Sequence, residues 1–395
     1  MDLAYFLKLM MDKGASDMFF TTGAPVQLKV EGKMYALGEN KLPSSMTKTI
    51  AYNLMDQAQI AQFERELEMN FALAIEGTGR FRVNVFKQRG EVGMVVRSIK
   101  NDIPSLDELQ LPPVLKDIVM SKRGLVLVVG STGSGKSTTL ASMIDHRNQT
   151  SGGHILTIED PIEFLHTHKK CIVNQREVGV DTHAFSSALK NAMREAPDVI
   201  LIGEILDAST MEAAIAFAET GHLCLATLHS NNADQTIDRI LNFFPESAHK
   251  NVLMNVALNL RAIVSQRLVI GMDKKRLPAT EVMINTPVIR DLLRRGQVHE
   301  IKEAMDKSLS DGMQTFDTAL FNLTKEGRIT EAEALDAADS RDGLALRFRL
   351  SEGATHEHNP YDMSGMSGPG SFAPPKPPQN HPSPPSLLAD DPYNV

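Results

Sequence analysis

Residues Gly130 to Ser137 read Gly-Ser-Thr-Gly-Ser-Gly-Lys-Ser and follow directly on the apolar run Leu125 to Val129. A buried strand that hands over to a glycine-rich turn and then to a helix restricts the fold to a parallel sheet wrapped by helices, with the turn at the sheet's ligand-binding edge. Gly130, Gly133 and Gly135 let backbone N–H groups close around phosphates. Lys136 reaches terminal phosphate oxygens, and Ser137 can ligate Mg²⁺ at the helix N-terminus. Ser131, Thr132, Ser134 and Thr138 complete the loop. The pattern implies binding of a nucleoside triphosphate.

The rest of the chain fits around that element. Apolar strands at 125–129, 155–158, 199–202 and 223–228 alternate with helical stretches near 136–149, 183–194 and 207–220, which predicts an α/β domain with a parallel sheet. Further helices are expected at 249–266, 287–296, 314–326 and 330–339. Upstream, Leu3, Phe6, Leu7, Met10 and Met11 make a short amphipathic helix. Strands follow at 18–20, 26–30, 71–75, 81–85 and 92–96, with a helix over 47–66. The division is then an α+β domain over 1–100, a Pro-containing linker at 101–113, the nucleotide domain over 114–350 and a tail over 351–395. Ten prolines in that tail leave too little apolar surface to offset ordering entropy, so disorder is expected there.

Charge and cysteine usage narrow the class. The net charge of −8 divides evenly between the tail and residues 1–350, which speaks against nucleic acid. Cys171 and Cys224 stand far apart and form neither a disulfide framework nor a zinc site. No run approaches 18 apolar residues and the N-terminus has no basic leader, so the expectation is a soluble cytoplasmic protein that meets membranes only through a partner.

Three further segments carry chemistry. Val199 to Glu204 is an apolar strand ending in a carboxylate, expected beside the loop strand, where Glu204 would hold the metal shell. Ile158-Glu-Asp-Pro-Ile-Glu163 also closes an apolar strand, so its acids should fall at the same sheet edge. Glu163 is the candidate for polarising the attacking water, with Glu159 and Asp160 either in support or serving the turn. His222 and His229 flank a strand seven residues apart, on opposite faces if extended, which argues against a shared metal; the strand before His229 is expected beside the loop strand, which places His229 to sense the terminal phosphate. Arg80 and Arg82 share one strand face and Arg97 lies on another strand; on spacing alone they read as a solvated face.

Taken together these segments resemble the secretion-superfamily ATPases, and within them the type IV pilus retraction (twitching motility) ATPases of the PilT/PilU type. Four motifs occur in family order: the P-loop, the Asp box Ile158 to Phe164, the Walker B strand Asp198 to Glu204 and the His box Thr220 to His229. Supporting stretches are Gly14 to Asp17, Arg80 to Asn84, Leu260 to Leu268, Glu281 to Pro287 and Gln314 to Asp317. The resemblance spans residues 1–350. It implies a PAS-like N-terminal domain, a RecA-like ATPase domain, a homo-hexameric ring and Mg-ATP held between the two domains. By the same resemblance Glu163 is the catalytic glutamate, Glu204 the Walker B acid and, with Ser137, a metal ligand. His222 and His229 respond to the nucleotide, and Arg80, Arg82 and Arg97 reach the γ-phosphate. The implied partners are a homologous retraction ATPase and an inner-membrane platform protein at the pilus base, with no nucleic acid and no membrane insertion.

Two cysteines exclude the four-cysteine zinc module of pilus-extension relatives. Ala196 and Leu206 stand where retraction prototypes carry an acid and an arginine, and Val288-Ile-Arg-Asp-Leu292 replaces their Ala-Ile-Arg-Asn-Leu. These departures, with the tail, favour the PilU branch and leave two functions in play: a retraction motor, or an ATP-binding accessory that hydrolyses little and assembles with a catalytic paralogue. A helicase would need a basic, aromatic-lined channel, and a chain with no Trp and 5% aromatics offers none.

Overall fold

Two sheets organise the computed structural model, which describes residues 3–308 and 312–353. The first is antiparallel. Its elements run α1 (Leu3–Asp12), β1 (Asp17–Phe20), β2 (Gln27–Val30), β3 (Lys33–Ala36), α2 (Met46–Leu54), α3 (Gln57–Glu66), β4 (Glu68–Ile75), β5 (Gly79–Gln88) and β6 (Glu91–Ser98), with strand order β3-β2-β1-β6-β5-β4. Glu31 and Gly32, at φ 49° and 80°, close the β2–β3 hairpin in the mirror-image turn that suits the twist of the strands. The single helix expected over 47–66 is two helices. Met55 is extended, and Asp56 accepts from the Gln59 N–H while the Gln59 side chain accepts from the Asp56 N–H, a capping box that starts a new helix.

Alternation in β5 buries Phe81, Val83 and Val85 and sends Arg80 and Arg82 to the other face. Register places Arg82 directly opposite Arg97 on β6, and Arg97 opposite Asp17 on β1. Two cations facing each other across a strand pair repel, so this row is stable only with negative charge against it. Asp17, 4% exposed, supplies part of that charge and holds Arg97 Nε at 2.7 Å.

The second sheet follows the linker: α4 (Val114–Val119), β7 (Gly124–Val129), α5 (Lys136–Thr150), β8 (Gly153–Glu159), β9 (Cys171–Glu177), α6 (Phe185–Ala192), β10 (Val199–Ile202), α7 (Ala208–Glu219), β11 (Leu223–Leu228), α8 (Ala233–Leu241), α9 (His249–Asn259), β12 (Leu260–Ile270) and β13 (Arg276–Ile284). Helices α10 (Pro287–Arg295), α11 (Ile301–Asp306), α12 (Phe316–Lys325), α13 (Glu331–Ala337) and α14 (Arg341–Gly353) complete the described chain. The order is β13-β12-β7-β11-β10-β8-β9, parallel except for β13. β7 is buried on both faces. Leu125, Leu127 and Val129 pack with α7 and α9, while Val126 and Val128 pack with α4 and α5.

Three more expectations change. The helix expected over 249–266 ends at Asn259, and the β-branched run around Ile263 and Val264 becomes β12, a strand bonded to β7. A continuous apolar run has no period to tell strand from helix, and here the strand wins because it fills a central place in the sheet. The Walker B strand β10 does not neighbour β7, because β11 lies between them. Helix α14 carries ordered structure three residues into the segment assigned to the tail; the remainder of that segment lies outside the described residues. Among the described residues no helix is long and apolar enough to cross a membrane.

Candidate functional site

The C-terminal ends of β7, β11, β10 and β8 meet a cleft of about 790 Å³ that is also lined by β1 and β6 of the first sheet. Its floor is the P-loop. Gly130 has φ 151°, and a Cβ there would stand 2.4 Å from the Gln266 carbonyl oxygen and 2.5 Å from Ser134 Oγ, so only glycine fits. Gln266, 3% exposed on β12, clamps the loop from below: its Nε2 donates to the Ser134 carbonyl at 2.8 Å and its Oε1 accepts from Thr139 Oγ1 at 2.7 Å. Sequence reasoning missed Gln266 as a site residue because it fell at the end of a supposed helix. The signal available was a buried-length apolar run carrying one amide.

Lys136 opens α5, 9% exposed, and its Nζ donates to the carbonyls of Gly130 at 2.8 Å and Ser131 at 3.0 Å. Burial pulls its pKa down, and Glu204 acts against that. His229 joins the two. Its Nε2 lies 3.0 Å from Glu204 Oε1, while Nδ1 lies 3.5 Å from Lys136 Nζ and 3.3 Å from the Gly130 carbonyl oxygen. In the tautomer that gives Nε2–H to Glu204, Nδ1 faces the ammonium as an acceptor. Thus one imidazole on the middle strand bridges the loop on β7 and the acid after β10.

The strand ends are locked to one another. Thr227 Oγ1 donates to the Gly203 carbonyl, and Ile205 N–H donates to the Thr227 carbonyl at 2.9 Å. A Cβ on Gly203 would sit 3.0 Å from Glu159 Cα, so the missing side chain lets the two backbones touch. Glu159 accepts from Thr157 Oγ1 at 2.6 Å and Gln175 Nε2 at 3.3 Å. Desolvation nevertheless pushes its pKa to about 7, helped by the charge of Glu163. Glu163 is exposed between buried Ile162 and Phe164 and lines the cleft. His166 also lines it, with burial lowering its pKa to about 4, so the ring is neutral.

The cleft gathers Thr132, Gly133, Gly135, Lys136, Ser137, Thr138, Glu163, Glu204, His229 and Arg97. Gly130 and Ser131 line an adjoining cavity of about 390 Å³, and Ser134 is buried beneath the loop. His222 is not brought there. It precedes β11 at the opposite edge of the sheet, roughly 20 Å away at the rise of an extended strand, with Nδ1 3.1 Å from Thr220 Oγ1 and 3.2 Å from the Phe217 carbonyl. Arg80 and Arg82 do not line the cleft either; their charges act on Glu177 at the end of β9.

Behind His229 the loop into α8 is pinned by Glu281 of β13, which is 2% exposed and accepts from Ala233 N–H at 2.7 Å and Ser265 Oγ at 3.1 Å. Burial raises its pKa from 4.5 to about 7. The folded chain therefore holds this proton more tightly than the unfolded one. The stability it contributes is complete at low pH and is lost as pH rises from about 4.5 to about 7. Glu281→Gln removes that slope. Its melting temperature relative to the parent should rise by about 2–4 °C between pH ~5 and pH ~8, and parallel pH profiles in thermal melts would contradict this.

A family model described as "Type II/IV secretion system protein" matches residues 2–317. The chain is 50% identical to the type IV pilus ATPase PilU of Pseudomonas aeruginosa, over 93% of this chain and 96% of that one. It is 42% identical to the pilus retraction ATPase PilT of the same organism, over 86% and 98% respectively. Among solved structures, a crystal structure of the pilus retraction motor PilT with bound ADP superposes with TM-score 0.82 at 40% identity, covering 88% of this chain and 99% of that one.

Proposed function

The chain belongs to the Type II/IV secretion system protein family and is a pilus retraction ATPase of the PilT/PilU type, and from that premise we propose that it is a Mg-ATP-hydrolysing motor. In this proposal it works as a homo-hexamer at the cytoplasmic base of a type IV pilus, assisting or sharing retraction with a homologous ATPase. The observation that carries this is the continuous path Glu204–His229–Lys136 across the end of the parallel sheet.

ATP would lie in the cleft with its phosphates on the loop N–H groups. Lys136 would exchange its carbonyl partners for phosphate oxygens, a stronger charge-assisted bond. Mg²⁺ fits the donors present: Ser137 and Glu204 offer hard oxygens on one cleft. Water and phosphate oxygens would complete the shell of such an ion. The ion supplies charge neutralisation on the phosphoryl oxygens. Glu163 would orient and deprotonate the attacking water. His229, bonded to Glu204, would register loss of the terminal phosphate, and Arg97, released from Asp17, would balance charge on the transferring group. Movement of the first sheet against the second would then pass work to an inner-membrane platform protein.

Leu206, 60% exposed two residues after Glu204, favours a second function in which the chain hydrolyses little and assists a paralogue. Phosphate release by the purified protein, with particle mass measured with and without Mg-ATP, separates these. Turnover by a ring supports the motor. A ring without turnover supports the accessory, and a monomer under every condition contradicts both.

A further inference from the structure

Glu163 stands in the segment between the end of β8 at Glu159 and the start of β9 at Cys171. That segment has neither helix nor strand of its own, so its peptide groups need partners from elsewhere. They find them on both sides of Glu163. The Ile162 N–H donates to Glu177 Oε2 at 3.3 Å, and the Leu165 N–H donates to the Lys100 carbonyl at 3.0 Å. The Phe164 carbonyl and the His166 N–H both go to one side chain, Gln175 of β9. Its Nε2 donates to the first at 2.8 Å and its Oε1 accepts from the second at 2.8 Å. Farther on, Asn148 of α5 accepts from the Lys169 and Cys171 N–H groups at 3.1 Å and donates to the Thr167 carbonyl at 2.7 Å.

Gln175 has a third contact. Parallel register sets it beside Thr157, and both donate to Glu159 Oε1, at 3.3 Å from Gln175 Nε2 and 2.6 Å from Thr157 Oγ1. One amide therefore joins the residue that ends β8 to the two residues that flank Leu165, and closes the loop that carries Glu163. Its orientation is fixed by its partners: the Phe164 carbonyl can only accept and the His166 N–H can only donate, so a flipped amide would lose both. Gln175 and Glu177, two apart, share one face of β9, and their bonds bracket Glu163 from either side. Phe164 and His166, the residues that Gln175 holds, line the cleft together with Glu163.

Resting on the reading that Glu163 orients and deprotonates the attacking water, we propose that Gln175 is a positioning residue for that base. It touches neither nucleotide nor water. It fixes the main chain after Glu163 against the end of β8, so that the carboxylate meets the terminal phosphate at a set distance and angle. A base displaced by even an ångström loses much of its effect, whereas the phosphate-binding loop, held separately by Gln266, keeps its grip on the nucleotide.

The test compares the parent, Gln175→Glu, Glu163→Gln and the double variant by single-turnover ATP hydrolysis and by ADP binding. Gln175→Glu keeps the shape and the acceptor for His166 but turns an oxygen, in place of an N–H, toward the Phe164 carbonyl and the Glu159 carboxyl. Hydrolysis should fall by about 10- to 100-fold, with ADP affinity within about twofold of the parent. On top of Glu163→Gln the same change should alter the residual rate by less than about twofold, because its effect passes through the missing base. A merely structural Gln175 would lower nucleotide affinity or binding stoichiometry along with the rate, and would act equally in both backgrounds. Hydrogen exchange over residues 162–166 should quicken about tenfold in Gln175→Glu while residues 130–137 keep parental protection; this reading decides where turnover is too slow to compare. Parental hydrolysis or unchanged exchange in Gln175→Glu, or losses that multiply with those of Glu163→Gln, overturns the proposal and leaves the ATPase reading intact. If Glu163→Gln turns over like the parent, the assignment of the base fails and takes the inference with it. Should Gln175→Glu not fold, Gln175→Met removes the same bonds without adding charge. A loss of rate that depends on Glu163 is again expected, and a loss independent of Glu163 overturns the proposal.

Discussion

Glu163→Gln is expected to lower ATP turnover by about 10²- to 10⁴-fold, the usual range for loss of a general base, while the KM for ATP stays within about twofold. The local structure explains the separation. Ile162 and Phe164 are buried, at 2% and 7% exposure, and peg the segment on both sides of an exposed Glu163 that lines the cleft. The Ile162 N–H donates to Glu177 Oε2 at 3.3 Å and the Phe164 carbonyl accepts from Gln175 Nε2 at 2.8 Å, so the loop is held by its main chain and not by the side chain being changed. Exchange of an exposed carboxylate for its amide leaves those contacts in place, and the melting temperature should move by no more than ~2 °C. A steady-state phosphate assay checks this; a variant with parental kcat would remove Glu163 from the chemistry.

Lys136→Ala should act on binding as well as on chemistry. Its ammonium donates into the loop's own carbonyls, at 2.8 and 3.0 Å. Loss of such a donor is worth about 10²- to 10³-fold in transition-state stabilisation, and the ground-state phosphate loses the same contact. Turnover should fall below detection and nucleotide affinity by more than about tenfold. The variant also leaves His229 Nδ1 without its nearest donor. Isothermal binding of ADP and of an ATP analogue measures the first effect, and undiminished binding would place the phosphates elsewhere.

The loop, its strand and the two acidic strand ends were legible because each combines a local residue pattern with a buried run, and both survive in any sheet order. Strand order was legible in part: β11 beside β7 was expected and is observed, whereas nothing in Val199 to Glu204 states that this strand lies one place further out, and only the register of β11 with both neighbours reveals that His229 stands between Lys136 and Glu204. Gln266 was hidden for a related reason: Leu260 to Ile270 looks helical until the sheet claims it. The resemblance assigns both histidines of one motif to the nucleotide, yet a six-residue strand puts them at opposite edges of the sheet. Glu177 left no trace in the sequence because the Ile162 N–H that its side chain accepts from is brought to it by tertiary structure alone.

The contact at Gly203 carries a consequence for how such a chain can drift. Main chain rests on main chain where β10 meets β8, so the gap between the two acidic strand ends is a property of the peptide ladder, not of any neighbouring side-chain volume. The surrounding helices are therefore free to exchange one apolar residue for another across lineages without retuning the gap, whereas a single added methyl at 203 would wedge it apart.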